Sequence, residues 1–147
     1  MTAASDTHAF DGRTDAPIIA DSADLAGGVD ALAADGAIIR IRPVHPEDAV
    51  ALTDLHERAS DDTLYRRFLS AGHHPIAGEI DRLVRPPDAD HVALVALERG
   101  RVIGVTSYEV LPGRRTAEFA VFVDDACHGR GVGTLLLEHL AVCGRRH

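Results

Sequence analysis

Val121-Phe122-Val123-Asp124-Asp125-Ala126-Cys127-His128-Gly129-Arg130-Gly131-Val132-Gly133-Thr134 carries an apolar strand into an apolar helix through three glycines at alternate positions. Without Cβ atoms, a turn of this kind lets an anion approach the main chain closely. The first amides of the helix that follows have no acceptor of their own, and the helix dipole adds positive potential at the same point. A pyrophosphate is the natural guest of such a turn.

Spacing separates the known phosphate loops. The nucleoside-triphosphate loop needs Gly-Lys-Ser/Thr, whereas Gly133 is followed directly by Thr134 and all fifteen basic residues of the chain are arginine. The dinucleotide fingerprint G-x-G-x-x-G fits poorly, because Gly129 and Gly131 require glycine at 134, and Gly131 and Gly133 require it where Leu136 stands.

Upstream of the turn, residues 116–123 read as a strand, with Ala117, Phe119, Val121 and Val123 on one face. Residues 91–97 and 101–111 read as an antiparallel hairpin reversed at Glu98-Arg99-Gly100, and 37–42 as a first strand ended by Pro43. Between them, His45-Pro46-Glu47-Asp48 marks a helix start that buries Ala49, Leu52, Leu55 and Ala59. Ser60-Asp61-Asp62 marks a second start, closed by Gly72, and residues 76–85 form a third helix ahead of Pro86-Pro87. The last helix covers about 131–143. The order β-α-α-(α)-β-β-β-α defines a mixed α/β (α+β) domain without internal repeats.

Residues 1–36 hold seven Asp and one Arg, with Gly27-Gly28 and few large apolar groups. They read as a flexible acidic leader, or at most a short helix over 22–34. The remaining residues, 37–147, are nearly neutral, which argues against a duplex nucleic-acid binder. No apolar run is long enough to span a bilayer and no secretory signal opens the chain, so a cytoplasmic location is expected. Cys127 and Cys143 lack disulfide or zinc-ligand spacing and read as buried thiols. Neither these nor the scattered histidines, His73-His74 among them, suggest a metal.

With these elements placed, the turn resembles motif A of the GNAT superfamily, whose loop reads Gln/Arg-x-x-Gly-x-Gly/Ala after the fourth strand. His128 stands at the Gln/Arg position, Gly131 at the first glycine and Gly133 at the second. The likeness extends over 37–147. Arg42-Pro43-Val44-His45-Pro46-Glu47-Asp48 and Ser60-Asp61-Asp62-Thr63-Leu64-Tyr65-Arg66-Arg67-Phe68 look like the opening of bacterial protein lysine acetyltransferases of the Pat type, including modules fused to acyl-CoA synthetases.

The resemblance implies a GNAT-like acyl-CoA N-acyltransferase fold with acetyl-CoA as co-substrate. Val121, Phe122 and Val123 would line the pantetheine arm, and His128, Gly129, Arg130, Gly131, Val132, Gly133 and Thr134 would hold the diphosphate. Arg66 and Arg67 read as helix-surface charges. Glu118 matches the position of a catalytic glutamate. An amine acceptor such as a protein lysine is about one part in 2,500 neutral at pH 7, a deficit of about 4.6 kcal/mol that a base must overcome. The family fold normally continues past this helix with a further strand, helix and strand pair, so 37–147 is expected to be a partial domain prone to self-association, and no general acid is assignable. A non-catalytic acyl-CoA-binding or regulatory module is the alternative.

Overall fold

In the structure, a computed structural model, residues 25–68, 76–113 and 116–144 are described, 66–68 by main chain alone. The expected leader up to residue 24, Gly72 and the His73-His74 loop, the Arg114-Arg115 turn, and the side chains of Arg66 and Arg67 lie outside the described residues.

Among the described residues, five strands form one antiparallel sheet in which neighbours in sequence are neighbours in space: β1 (Val29–Leu32), β2 (Ile38–Pro43), β3 (His91–Glu98), β4 (Arg101–Val110) and β5 (Ala117–Val123). Helices α1 (Ala49–Glu57), α2 (Asp61–Phe68) and α3 (Ile76–Leu83) come between β2 and β3, and α4 (Val132–Gly144) follows β5. The mixed α/β class and the order of elements from β2 onward match the sequence expectation. The strand β1 does not: it lies inside the segment read as leader or helix.

Two signals misled that reading. Gly27-Gly28 argues against any regular element, and the segment holds few large apolar groups, of which Leu32, like Ile38 opposite it, is exposed. The hairpin is anchored at its flanks instead, where Leu25 and Ala33 are buried against Ile39 and Ile41 of β2. Apolar area removed from water there is worth about 25 cal/mol per Å2, enough to order a four-residue strand that has a partner waiting in register.

Alternation along each strand divides the core between the two faces of the sheet. Ile39, Ile41, Leu94, Ile103 and Tyr108 pack with Leu136 and Leu140 of α4. On the other face Val95, Val105 and Phe122 pack with Leu52 and Leu55 of α1 and with Ile80 and Leu83 of α3.

The first helix also differs in detail from its sequence reading. Pro46–Asp48 forms a 3-10 turn before α1, and Asp48 is buried in it. Its carboxylate takes a two-pronged grip from Arg42, at 2.7 and 2.8 Å, and a bond from the His45 amide at 2.7 Å. Burial disfavours the charged form of Asp48, but these bonds outweigh it and hold the carboxyl below its usual range.

Candidate active site

The turn from β5 into α4 is built by two left-handed glycines. Gly129 and Gly131 have φ of +76° and +78°, conformations in which a side chain is strained. Between Val123 and Gly129 the chain makes a short 3-10 turn, Asp125–Cys127. It is capped by Asp124, whose Oδ1 accepts from the Ala126 amide at 3.0 Å. The other oxygen of Asp124 accepts from Arg58 Nε at 2.7 Å, and Arg58 also donates to the Val102 carbonyl at 2.8 Å. Burial opposes charge on Asp124, yet the Arg58 and Ala126 bonds prevail and its carboxyl sits below the usual range.

The first helical bond at this end of α4 runs from the Leu135 amide to the Gly131 carbonyl, 3.0 Å. The amides of Val132, Gly133 and Thr134 precede it and therefore have no acceptor within the helix. They open onto a cavity of about 610 Å3. Val121, Phe122, Val123, His128, Gly129, Gly131, Val132, Gly133 and Thr134 all line it, so nine of the ten residues expected from sequence to hold the co-substrate meet at one place. Arg130, the tenth, does not. Its guanidinium is turned away into Asp35 and Glu98, both at 2.6 Å.

His128 folds back rather than reaching outward: its Nε2 donates to the Val123 carbonyl at 3.0 Å. Cys127 is buried with Arg130 Nη1 3.6 Å from its sulfur, and both cysteines are buried, as the sequence suggests.

Sequence reasoning missed Thr63, which also lines the cavity. Its hydroxyl donates to Asp125, and the Ser60 amide donates to the same carboxylate at 2.6 Å. The start of α2 is thereby docked on the turn, and the Thr63 hydroxyl and then the Ser60 amide hold the Asp125 carboxyl below its usual range. In sequence Ser60 reads as a helix cap, and Thr63 only as part of the stretch 60–68 that resembles Pat-type enzymes. A capping serine with a threonine three residues on carries no trace of a partner 62 residues away.

Glu118 lies on the β5 face opposite Phe119 and Val121, and it is exposed. It stands in register with Glu109 of β4, which is in register with His91 of β3. With Arg82, Ser107 and Glu109 it borders a small recess of about 70 Å3. From Glu118 to Val123 the strand runs about 17 Å at its ordinary rise per residue, which separates the carboxylate from the amides of α4. The face that Ala117, Phe119, Val121 and Val123 share is not covered along its whole length. Phe119 is 68% exposed, because the α4 cluster reaches only as far as Val121 and Val123, whereas Phe122 on the other face is 3% exposed. Among the described residues no three His, Cys, Asp or Glu side chains are placed to hold a metal, and no helix is long and apolar enough to cross a membrane.

Comparison with known proteins adds to this geometry. Residues 51–147 match the acetyltransferase (GNAT) family. YwnH of Bacillus subtilis (strain 168), which bears the provisional name phosphinothricin acetyltransferase, is 42% identical over 85 residues, 53% of this chain and 52% of YwnH. The chain thus spans about half the length of this curated relative. The crystal structure of the GNAT domain of S. lividans PAT superposes with a TM-score of 0.73 at 31% identity, covering 81% of this chain and 72% of that one. The PaiA N-acetyltransferase of Thermoplasma acidophilum, solved in complex with coenzyme A, shares the fold at a TM-score of 0.57 and 15% identity, over 74% of this chain and 72% of that one.

Proposed function

The chain belongs to the GNAT acetyltransferase family, and from that premise we propose that it transfers an acetyl group from acetyl-CoA to a primary amine by direct attack in a ternary complex. One observation supports this most: the unpaired amides that open α4 and the β5 segment Val121 to Val123 line a single cavity. The amides suit a diphosphate, and the strand leads from there toward Glu118. The coenzyme A complex of PaiA, a protein of the same fold, agrees with this reading.

In this mechanism Glu118 takes a proton from the acceptor ammonium, directly or through water, and the neutral nitrogen attacks the thioester carbon. Charge builds on the thioester oxygen. Among the described residues β5 is an edge strand, and every second amide of an edge strand points away from its neighbour, which supplies a fixed donor for that oxyanion. Collapse of the adduct breaks the carbon–sulfur bond and releases the amide and coenzyme A. No residue described is assigned as the acid that protonates the leaving thiolate.

The acceptor proposed is a protein lysine, such as one on an acyl-CoA synthetase, met in the cytoplasm. The likeness of 42–48 and 60–68 to Pat-type enzymes and the superposition on the S. lividans PAT domain support it. Labelled acetyl-CoA supplied with a lysine peptide in one reaction and phosphinothricin in another tests both this assignment and the one YwnH's name suggests. Glu118→Gln should lower kcat about a hundredfold and leave coenzyme A affinity unchanged. Calorimetric binding of coenzyme A with no transfer to either acceptor would instead establish a non-catalytic module, the second reading, which the exposure of Glu118 favours.

A further inference from the structure

Arg130 lies in the middle of the expected diphosphate loop, and its side chain serves neither the cavity nor the solvent. Nε donates to Asp35 at 2.6 Å, and the two terminal nitrogens donate to the two oxygens of Glu98 at 2.6 and 3.2 Å. Only 19% of the side chain is exposed. The main chain is tied to the same place, since the Arg130 carbonyl accepts from the Ala34 amide at 2.9 Å. Asp35 belongs to the turn between β1 and β2, where it also accepts from the Ala37 amide, and Glu98 ends β3 at its turn into β4. Two turns at one end of the sheet therefore converge on one guanidinium.

On each side of Arg130 the chain passes through a left-handed glycine, so local propensity does little to hold its direction. The fixed point has to come from outside the loop. Two carboxylates also leave the guanidinium no net positive charge to offer a phosphate, so the attraction must come from the main-chain amides and the helix dipole.

We infer that Arg130 is a positioning residue: it fastens the loop to Asp35 and Glu98, and this attachment aims the amides of Gly131 to Thr134 at the diphosphate. The inference rests on the coenzyme A reading above. It adds Asp35, which lies ahead of the residues that match the family, to the residues that govern affinity for the co-substrate.

Neutralising both carboxylates separates this role from that of a cation held for the ligand, because the two give opposite signs. A guanidinium released from Asp35 and Glu98 and free to reach phosphate would tighten binding. A loop that has lost its fastening binds more weakly. Calorimetry with coenzyme A at constant salt, on variants first checked by circular dichroism to be folded at the working temperature, should show Asp35→Asn/Glu98→Gln and Arg130→Met each about tenfold weaker than the parent. Arg130→Lys should recover part of the loss. In ligand-free protein, amide hydrogen exchange at Gly129, Gly131 and Gly133 should quicken about tenfold in the same variants. Unchanged or tighter binding by the double variant, or exchange no faster than in the parent, overturns the inference. Absence of coenzyme A binding by the parent chain would instead remove the proposed function, and the exchange comparison would still decide whether Arg130 fastens the loop.

Discussion

Acid sensitivity is set by a few individual side chains. His91 is completely buried with neither ring nitrogen hydrogen-bonded among the described residues, although Nδ1 lies 3.3 Å from Glu109. Burial first, then the charge of Arg85, pushes its pKa below the usual value, so the folded protein holds it neutral. Between that lowered value and about pH 6.5 the unfolded chain binds the extra proton, and stability therefore falls as the pH drops below about 6.5. Asp48 and Asp124 act further down. Their carboxyls are held below the ordinary range, so their contribution is complete above about pH 4 and disappears as the pH falls through their folded values. Melting temperature against pH should accordingly decline in two stages. His91→Leu should flatten the upper stage, and Arg58→Met, costing about 2 kcal/mol at neutral pH, should shrink the lower one. A single stage, unmoved by His91→Leu, would contradict this assignment.

Among the elements, β5 joins the core to the cavity, and Phe122 is its buried side chain. That ring stacks on buried His56 of α1 with centroids 4.4 Å apart and an interplanar angle of 13°, while His56 Nδ1 donates to the Leu52 carbonyl at 2.7 Å. Phe122→Ala should cost about 3–5 kcal/mol, a large part of the stability of a domain this size, and should appear as a lowered urea midpoint. The extent to which such elements could be read in advance follows from how local their causes are. The glycines at 129, 131 and 133, the Glu98-Arg99-Gly100 reversal and the strands β3 to β5 are written within a few residues, and all appear where expected. The docking of Thr63 on Asp125 and the diversion of Arg130 toward Asp35 depend on partners far away in sequence. No window of neighbouring residues contains that information. Phe119 is a converse case, on the face its alternation predicts but beyond the layer that covers that face.

For the molecule as a whole, β5 is an edge strand among the described residues, with Phe119 beside an apolar groove of about 640 Å3 bordered by Tyr108, Val110, Leu137 and Leu140. Unpaired strand edges and apolar patches of this kind favour association. Sedimentation equilibrium should therefore show an apparent mass that rises with concentration, and Phe119→Asp should reduce that rise while changing stability by less than about 0.5 kcal/mol. A concentration-independent monomer would count against it. The sequential strand order bears equally on how the chain reaches this state. Each hairpin closes over a short turn, and only the passage from Pro43 to His91, with its three helices, asks for a long excursion before pairing. The β1–β2 hairpin and the β3–β4–β5 meander are thus two locally connected pieces joined by the pairing of β2 with β3. The ion pair from Arg130 to Asp35 spans that seam, so the glycine turn is held in its final shape only where the two pieces meet.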